Sequence, residues 1–290
     1  MQPDSAPASS TVEQLVETFD GFLIDAYGVL VHSGGAYPGA SAFIARLDRR
    51  DMPYRVVTND ASRLPSTCAE KYRSHGIAVP DDQVVTSGSM LTPYFESHGL
   101  DGASCLCLGT SDSQAYVKQA GGRLVDADVP FDVLVMGDDA GFPFRETVDK
   151  ALTHLFHRFD ADDPVDLLLP NPDQFFQRST EDYGVAIGAI AAMFESILED
   201  RYPDRVPTFE RLGKPNPAMF RHAARQVAQE LPKVSNPDIL MIGDQLNTDI
   251  RGAEQAGLKS ALMTSSHKRW AEASRASGIT PDYLLDGLET

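Results

Sequence analysis

Cysteine is scarce in this chain of 290 residues: there are three, Cys68, Cys105 and Cys107. Their spacing forms no paired array of the zinc-binding kind, and three thiols cannot staple a small disulfide scaffold. Cys105 and Cys107 alternate along an apolar stretch, so on a strand they share a face and are not expected to pair. All three are expected to be buried, reduced thiols of a cytoplasmic protein. Basic residues are also few, 25 Lys and Arg against 42 Asp and Glu, for a formal net charge of −17. That deficit excludes a nucleic-acid partner, whose phosphates bind clustered Lys and Arg, and docking on anionic lipid. It fits a well-solvated acidic surface, of a kind that also suits high salt. No apolar run approaches the roughly 20 residues that span a bilayer, so no membrane partner is expected. The first dozen residues, MQPDSAPASSTV, lack an apolar signal core, and residues 1–12 are expected to form a flexible tail.

What is present is a repeated strand-then-helix pattern. Residues 20–30, DGFLIDAYGVL, hold a short apolar core that ends in Asp25 and a turn at Gly28, as a buried parallel strand does. A helix is expected at residues 38–50, a strand at 54–58 (YRVVT) and a helix at 65–76 that stops at glycine. Residues 84–97 offer one more strand and helix. Much later, ILMIG at 239–243 is an apolar strand that runs into GDQLNTD, followed by a helix at 248–256. This is the pattern of a doubly wound α/β sheet, in which ligands sit beyond the carboxyl ends of the strands. Asp25, Thr58 and Asp244 all fall there. Between the two sets lie further apolar segments, CLCLGT, DVLVMGDD and VDLLLPNPD as strands and residues 183–200 as a long helix. They are too many for a loop. The expected organisation is a core of residues 13–88 and 207–290 with an inserted α/β domain at 89–206.

The chemistry-bearing residues lie at those strand ends. A carboxylate at the mouth of a buried strand, such as Asp25, can attack phosphorus if its charge is held by a cation. Asp244 and Asp249 sit on another strand end and the helix start after it; carboxylates converging from separate strands repel one another unless a metal lies between them. Such hard oxygen donors suit Mg2+. A helix-capping role is the alternative, for Asp249 above all. Thr58 and Asn59 could hold phosphate oxygens through a hydroxyl and backbone N–H groups, or form a plain turn. Lys214, in RLGKPNPAMF, is stiffened by Pro215 and Pro217, and a fixed ammonium there could bridge nucleophile and phosphate; a solvent lysine is the alternative.

Taken in order, IDAYGVL, VVTND, GKP and MIGDQLNTDIRGAEQAG resemble the four motifs of the haloacid dehalogenase-like superfamily, over about residues 19–270. The insertion after the second motif resembles the class with a large α/β cap, which includes nitrophenyl-phosphatase-like and sugar-phosphate phosphatases. Within the insertion LPNPD, with Asn171 and Asp173, resembles that class's NPD motif, and VHSGGAYPGA, with His32, resembles the loop after its first strand. The resemblance implies a phosphatase of a small phosphorylated metabolite, with Asp25 as nucleophile. It implies Mg2+ held by Asp25, the backbone carbonyl of Tyr27 and Asp244, with Asp249 orienting the metal's waters. Thr58, the Asn59 backbone and Lys214 would hold the phosphoryl group. A homodimer contact is one expected use of the long helix from Tyr183, beside packing.

One position breaks the pattern. Two residues after the nucleophile these phosphatases usually carry a second aspartate for acid–base work; here it is Tyr27. A phenol can donate a proton at neutral pH but is a poor base, so slow turnover of alkyl phosphates is expected. Two other functions stay open on these residues. The missing acid–base group suits a non-catalytic phosphate-ligand binder, and DAYG also resembles the first motif of true haloacid dehalogenases, which need no metal. Asp60 places an extra negative charge beside Asn59, and His32 could touch substrate or simply belong to its loop.

Overall fold

A computed structural model describes residues 6–179, 181–234, 237–266 and 269–289. It divides into two compact units, one of Met1–Thr58, Pro65–Val85 and Lys214–Thr290, the other of Asn59–Leu64 and Thr86–Gly213.

The first unit is built on a sheet of seven strands among the described residues. Their order is Ala8–Ser10, Tyr283–Leu285, Lys259–Met263, Ile239–Gly243, Gly21–Asp25, Tyr54–Thr58 and Val84–Thr86. The pairings from Ala8–Ser10 through Tyr54–Thr58 are all parallel. The three central strands, GFLID, YRVVT and ILMIG, are buried along their whole length, which is why they read as unbroken apolar runs rather than alternating ones. Arg55 is the exception, and its guanidinium is satisfied by the Tyr54 carbonyl, Gln226 and Glu230. Phe22 and Ile24 join a core with the Val12–Thr18, Ala40–Arg49 and Pro65–Ser74 helices. Gly21 lies against Val227 of the Pro217–Gln229 helix on the other face. The sheet is therefore doubly wound, as the strand-and-helix pattern implies.

From Gly21–Asp25 the chain winds first toward Tyr54 and Val84, and later returns to build outward through Ile239, Lys259 and Tyr283. The direction reverses between Gly21–Asp25 and Ile239–Gly243, and at such a switch point the two outgoing loops part and leave a crevice. Register sharpens this: Ile24 pairs with Ile242 and Asp25 with Val57. Asp25, Thr58 and Asp244 thus step off the same edge of the sheet within a residue of one another.

The second unit has a five-stranded parallel sheet among the described residues, in the order Glu210–Arg211, Asp166–Leu169, Val133–Met136, Ser104–Leu108, Arg123–Leu124. One face packs on the Phe144–Asp160 and Ile187–Arg201 helices through Leu134, Met136, Leu167, Val148, Leu155 and Phe194. Cys68, Cys105 and Cys107 are buried and form no disulfide, and burial pushes both strand thiols up to about 12.

Two expectations are corrected. The flexible tail gives way at Ala8, because Ala8–Ser10 adds a parallel edge strand to Tyr283–Leu285 and Thr11 caps the next helix in a reciprocal capping box with Gln14; residues 1–5 of that expected tail lie outside the described residues. The long helix starts at Ile187 rather than Tyr183, because Tyr183–Val185 are held extended by antiparallel pairing with Phe175–Gln177. No helix among the described residues is long and apolar enough to cross a membrane.

Gly252, in the Arg251–Ala256 helix, meets the ring of Phe220 so closely that a methyl group there would overlap it. Alanine would gain about 1 kcal/mol of helix propensity, but overpacking costs about 1–3 kcal/mol. Gly252→Ala is expected to lower the melting temperature by a few degrees; an unchanged or raised value in thermal denaturation would show that the ring gives way.

Candidate active site

At the switch point a lysine is buried between two acids. Lys214 follows Gly213 and precedes the Pro217–Gln229 helix, whose start is capped by Asn216 through the Ala218 N–H. Its ammonium donates to Asp25 Oδ1 at 2.5 Å and to Asp249 Oδ1 at 2.7 Å. All three groups are nearly closed to solvent, at 3%, 5% and 1% exposure. Burial acts to lower the lysine's pKa, but Asp249 and Asp25 outweigh it and hold Lys214 above its ordinary value. Charge-assisted bonds of this kind persist only where geometry repays the desolvation of every partner.

A third acid joins them. Carboxylate oxygens of Asp25, Asp244 and Asp249 lie within 4.8 Å of one another. Among the described residues, Asp244 Oδ1 is buried with no hydrogen-bond partner. Burial pushes Asp25 up to about 7, against the pull of Lys214 and with a further push from Asp249. Burial, then the charges of Asp25 and Asp249, raise Asp244 as well. Three acids set against one ammonium leave negative charge that the chain itself does not neutralise. An orphaned buried carboxylate oxygen beside two others is the donor set that a hard divalent cation fits.

Two glycines let the acids approach. A methyl group at Gly28, whose φ is +99°, would fall on the Asp244 carboxylate, and one at Gly243 would fall on Asp249. The Gly-Asp-x-x-x-x-Asp spacing thus has a steric reason: Asp249 folds back through a π-helical turn, Leu246–Ile250, onto its own Gly243 and accepts the Gln245 N–H at 3.1 Å. The loop after Asp25 is held from elsewhere too, since Ser266 Oγ donates to the Gly28 carbonyl at 2.5 Å.

Tyr27 stands two residues beyond Asp25 and is 36% exposed. Lys71, on the Pro65–Ser74 helix, donates a hydrogen bond to its hydroxyl, and the ammonium lies 4.8 Å from the ring centroid. Thr58 is buried at the end of its strand. Asn59 belongs to the second unit, where its amide donates to Asp173 Oδ1 at 3.0 Å and its carbonyl accepts from Ser87. Asn171 in turn accepts the Asp173 N–H. Asp60 accepts the Ser62 and Arg63 N–H groups and pairs with the Arg63 guanidinium at 2.7 Å, so its extra charge is spent on that turn. His32 makes its contacts inside its own hairpin, taking the Gly34 N–H and packing edge-on against Tyr37. The structure therefore brings together Asp25, Lys214, Asp244 and Asp249, while His32 and Asp60 are engaged in local turns. Lys71 and Ser266 carried no signal in the sequence, being distant single residues outside any motif.

Residues 22–123 match the family described as haloacid dehalogenase-like hydrolase, and residues 211–290 match the one described as HAD-hydrolase-like. The chain belongs to the haloacid dehalogenase-like family. A dihydroxyacetone phosphatase of Corynebacterium glutamicum is 26% identical over 271 residues, covering 92% of this chain and 88% of that protein. The structure of a possible sugar phosphatase from Cytophaga hutchinsonii, 28% identical, matches with a TM-score of 0.83 over 98% of this chain and 99% of its own. A 4-nitrophenylphosphatase from Thermotoga maritima, 25% identical, gives 0.75 over 94% and 96%. Membership makes this haloacid dehalogenase-like chain a hydrolase, and its four buried charges lie within the two matched segments.

The acid cluster has a measurable consequence for stability. A free aspartate ionises at about 3.9, whereas folded Asp25 keeps its proton up to about 7. Between those values the folded chain binds more protons than the unfolded one, so this contribution to stability is present at low pH and is lost as pH rises through about 7. Asp244 acts in the same direction. In a chelator, the melting temperature is expected to fall more steeply between about pH 4 and about pH 7 for the native chain than for Asp244→Asn, which relieves the crowding. Parallel pH profiles for the two proteins would show that the acids do not act on one another.

Proposed function

We propose that this hydrolase is a Mg2+-dependent phosphatase of a small phosphorylated metabolite, working through a phosphoryl transfer to Asp25. The observation that carries the reading is the Asp244 carboxylate oxygen, buried and unpaired beside Asp25 and Asp249. The names of the relatives supply the direction: dihydroxyacetone, sugar and nitrophenyl phosphatases all cleave phosphate esters.

Asp25, the Tyr27 backbone carbonyl and Asp244 would hold Mg2+, with Asp249 orienting its waters. The ion would supply positive charge to the acids and to the phosphoryl oxygens. In the first step a carboxylate oxygen of Asp25 attacks phosphorus. The ester P–O bond breaks, and the leaving oxygen takes up a proton and departs as an alcohol. In the second, water attacks the phosphorus of the aspartyl phosphate, the bond to Asp25 breaks, and inorganic phosphate leaves. Lys214 aims the attacking carboxylate, since its two hydrogen bonds fix Asp25 against Asp249, and its charge works against the burial that raises Asp25. Thr58 and the Asn59 backbone would hold phosphoryl oxygens. Catalysis of this type is mostly positioning and charge stabilisation.

Tyr27 sets the weakness of the machine. General acid–base help is worth roughly 10²–10⁴ in rate, and a phenol serves only the acid half. Aryl phosphates, whose leaving groups need little protonation, are expected to turn over faster than alkyl phosphates. An assay on 4-nitrophenyl phosphate tests the reading. Turnover is expected with Mg2+, to vanish in a chelator, to drop by at least about 10³ in Asp25→Asn, and to rise in Tyr27→Asp. Tight binding of a phosphate ester with no turnover in either protein would make the chain a binder, and metal-independent halide release from a 2-haloacid would make it a dehalogenase.

A further inference from the structure

We infer that Lys71 is a positioning residue for Tyr27, fixing the phenol as a hydrogen-bond donor toward the leaving-group oxygen. This inference rests on the phosphatase reading and names the residue that makes its deviant position usable.

Hydrogen-bond direction decides what the phenol can do. An ammonium has three donors and no acceptor, whereas a phenol oxygen carries one hydrogen and accepts through its lone pairs. The bond between Lys71 Nζ and Tyr27 Oη therefore runs only one way, with the phenol accepting. The phenol's own hydrogen must then point to a different partner. Lys71 leaves Tyr27 able to donate and takes up one of the lone pairs through which it could otherwise accept from substrate. The same ammonium lies 4.8 Å from the ring centroid, beyond the hydroxyl end of the ring, so the restraint it applies is that one hydrogen bond. Neither residue is buried: Tyr27 is 36% exposed and Lys71 is partly exposed. An exposed lysine without a task at that place would turn its charge to water.

Location gives the pair its meaning. Tyr27 follows Asp25 by two residues on the loop that leaves the nucleophile's strand. That loop is pinned by the Gly28 N–H to Val31, by Leu30 and Val31 to the Ala26 carbonyl, and by Ser266 to Gly28. The backbone is thus fixed, and the phenol's direction is the remaining freedom. Lys71 removes it from a separate helix, across 44 residues of sequence.

The test compares Lys71→Met, Lys71→Arg, Tyr27→Phe and the double variant Tyr27→Phe/Lys71→Met. Each is assayed with Mg2+ on 4-nitrophenyl phosphate and on glycerol phosphate, with melting temperatures taken alongside. Tyr27→Phe keeps the backbone carbonyl, so cation binding is not at issue. Lys71→Met and Tyr27→Phe are each expected to lower kcat about tenfold on glycerol phosphate, the worth of one well-placed hydrogen bond. On 4-nitrophenyl phosphate the loss is expected to be only about two- to threefold, because a good leaving group needs less help. The double variant is expected to be no worse than Tyr27→Phe, and Lys71→Arg to recover most of the loss. Equal losses on both substrates, or a Lys71→Met effect that persists undiminished in the Tyr27→Phe background, would overturn the inference and make Lys71 an independent charge. A native chain that turns over neither ester sinks the phosphatase reading itself and this inference with it; an active native chain with an unaffected Lys71→Met sinks only the inference.

Discussion

The ammonium of Lys214, closed off from water between Asp25 and Asp249, is the interaction on which the site depends. Buried acids are tolerated only when paired, and removing one partner of such a pair leaves a stranded charge that costs several kcal/mol. Lys214 offsets part of the cost of burying two carboxylates at the end of a largely apolar sheet. It does not cover the third. Asp244 is held beside them by the chain's own geometry, against the Cα of Gly28, with one oxygen unpaired. Either a proton or a cation must make up the difference, since burial and the neighbouring Asp249 push Asp25 up to about 7. The site is thus a local sacrifice of stability, placed where the sheet reverses its winding direction and the crevice exists in any case.

Glycine carries part of this arrangement as well. Gly28 and Gly243 are the floors on which Asp244 and Asp249 rest, and any side chain at either would displace a carboxylate. A sheet edge of this type can present acids from two strands only if the backbone between them is bare. The π-helical turn at Leu246–Ile250 serves the same end, since its wider spiral brings Asp249 back over Gly243 instead of away along a normal helix.

Much of this was legible in the sequence because its causes are local. Buried parallel strands announce themselves as apolar runs, and acids at their carboxyl ends have few structural reasons to be there, so Asp25, Asp244 and Asp249 could be singled out with Lys214. What the sequence hid depends on distant partners. Lys71 touches Tyr27 across 44 positions and Ser266 reaches Gly28 across 238, and neither stands in a pattern that marks it. Asp60 looked like an added charge beside a phosphate loop, yet its carboxylate is consumed by the turn it begins. The polar residues 8–10 looked like a tail because an edge strand needs little apolar surface when its partner, Tyr283–Leu285, supplies it. Tyr183–Val185 shared the apolar character of the helix that follows, and only their pairing with Phe175–Gln177 separates them.

The phenol at position 27 therefore does not undo the chemistry implied by the rest of the site. On the proposed reading Asp25, Lys214 and the acid cluster would meet the demands of forming an aspartyl phosphate, a step that needs a held anion and neutralised oxygens. What a carboxylate two residues on would add is a proton carrier that works in both directions. A phenol gives up its proton reluctantly and, once one of its lone pairs is engaged by Lys71, has little capacity to take one from water. On the proposed reading the asymmetry would fall on one side of the reaction: departure of the leaving group would be served, and activation of the attacking water would not. On the proposed phosphatase reading, such a hydrolase would be limited by breakdown of its aspartyl phosphate when the leaving group is good, and by departure of that group when it is poor.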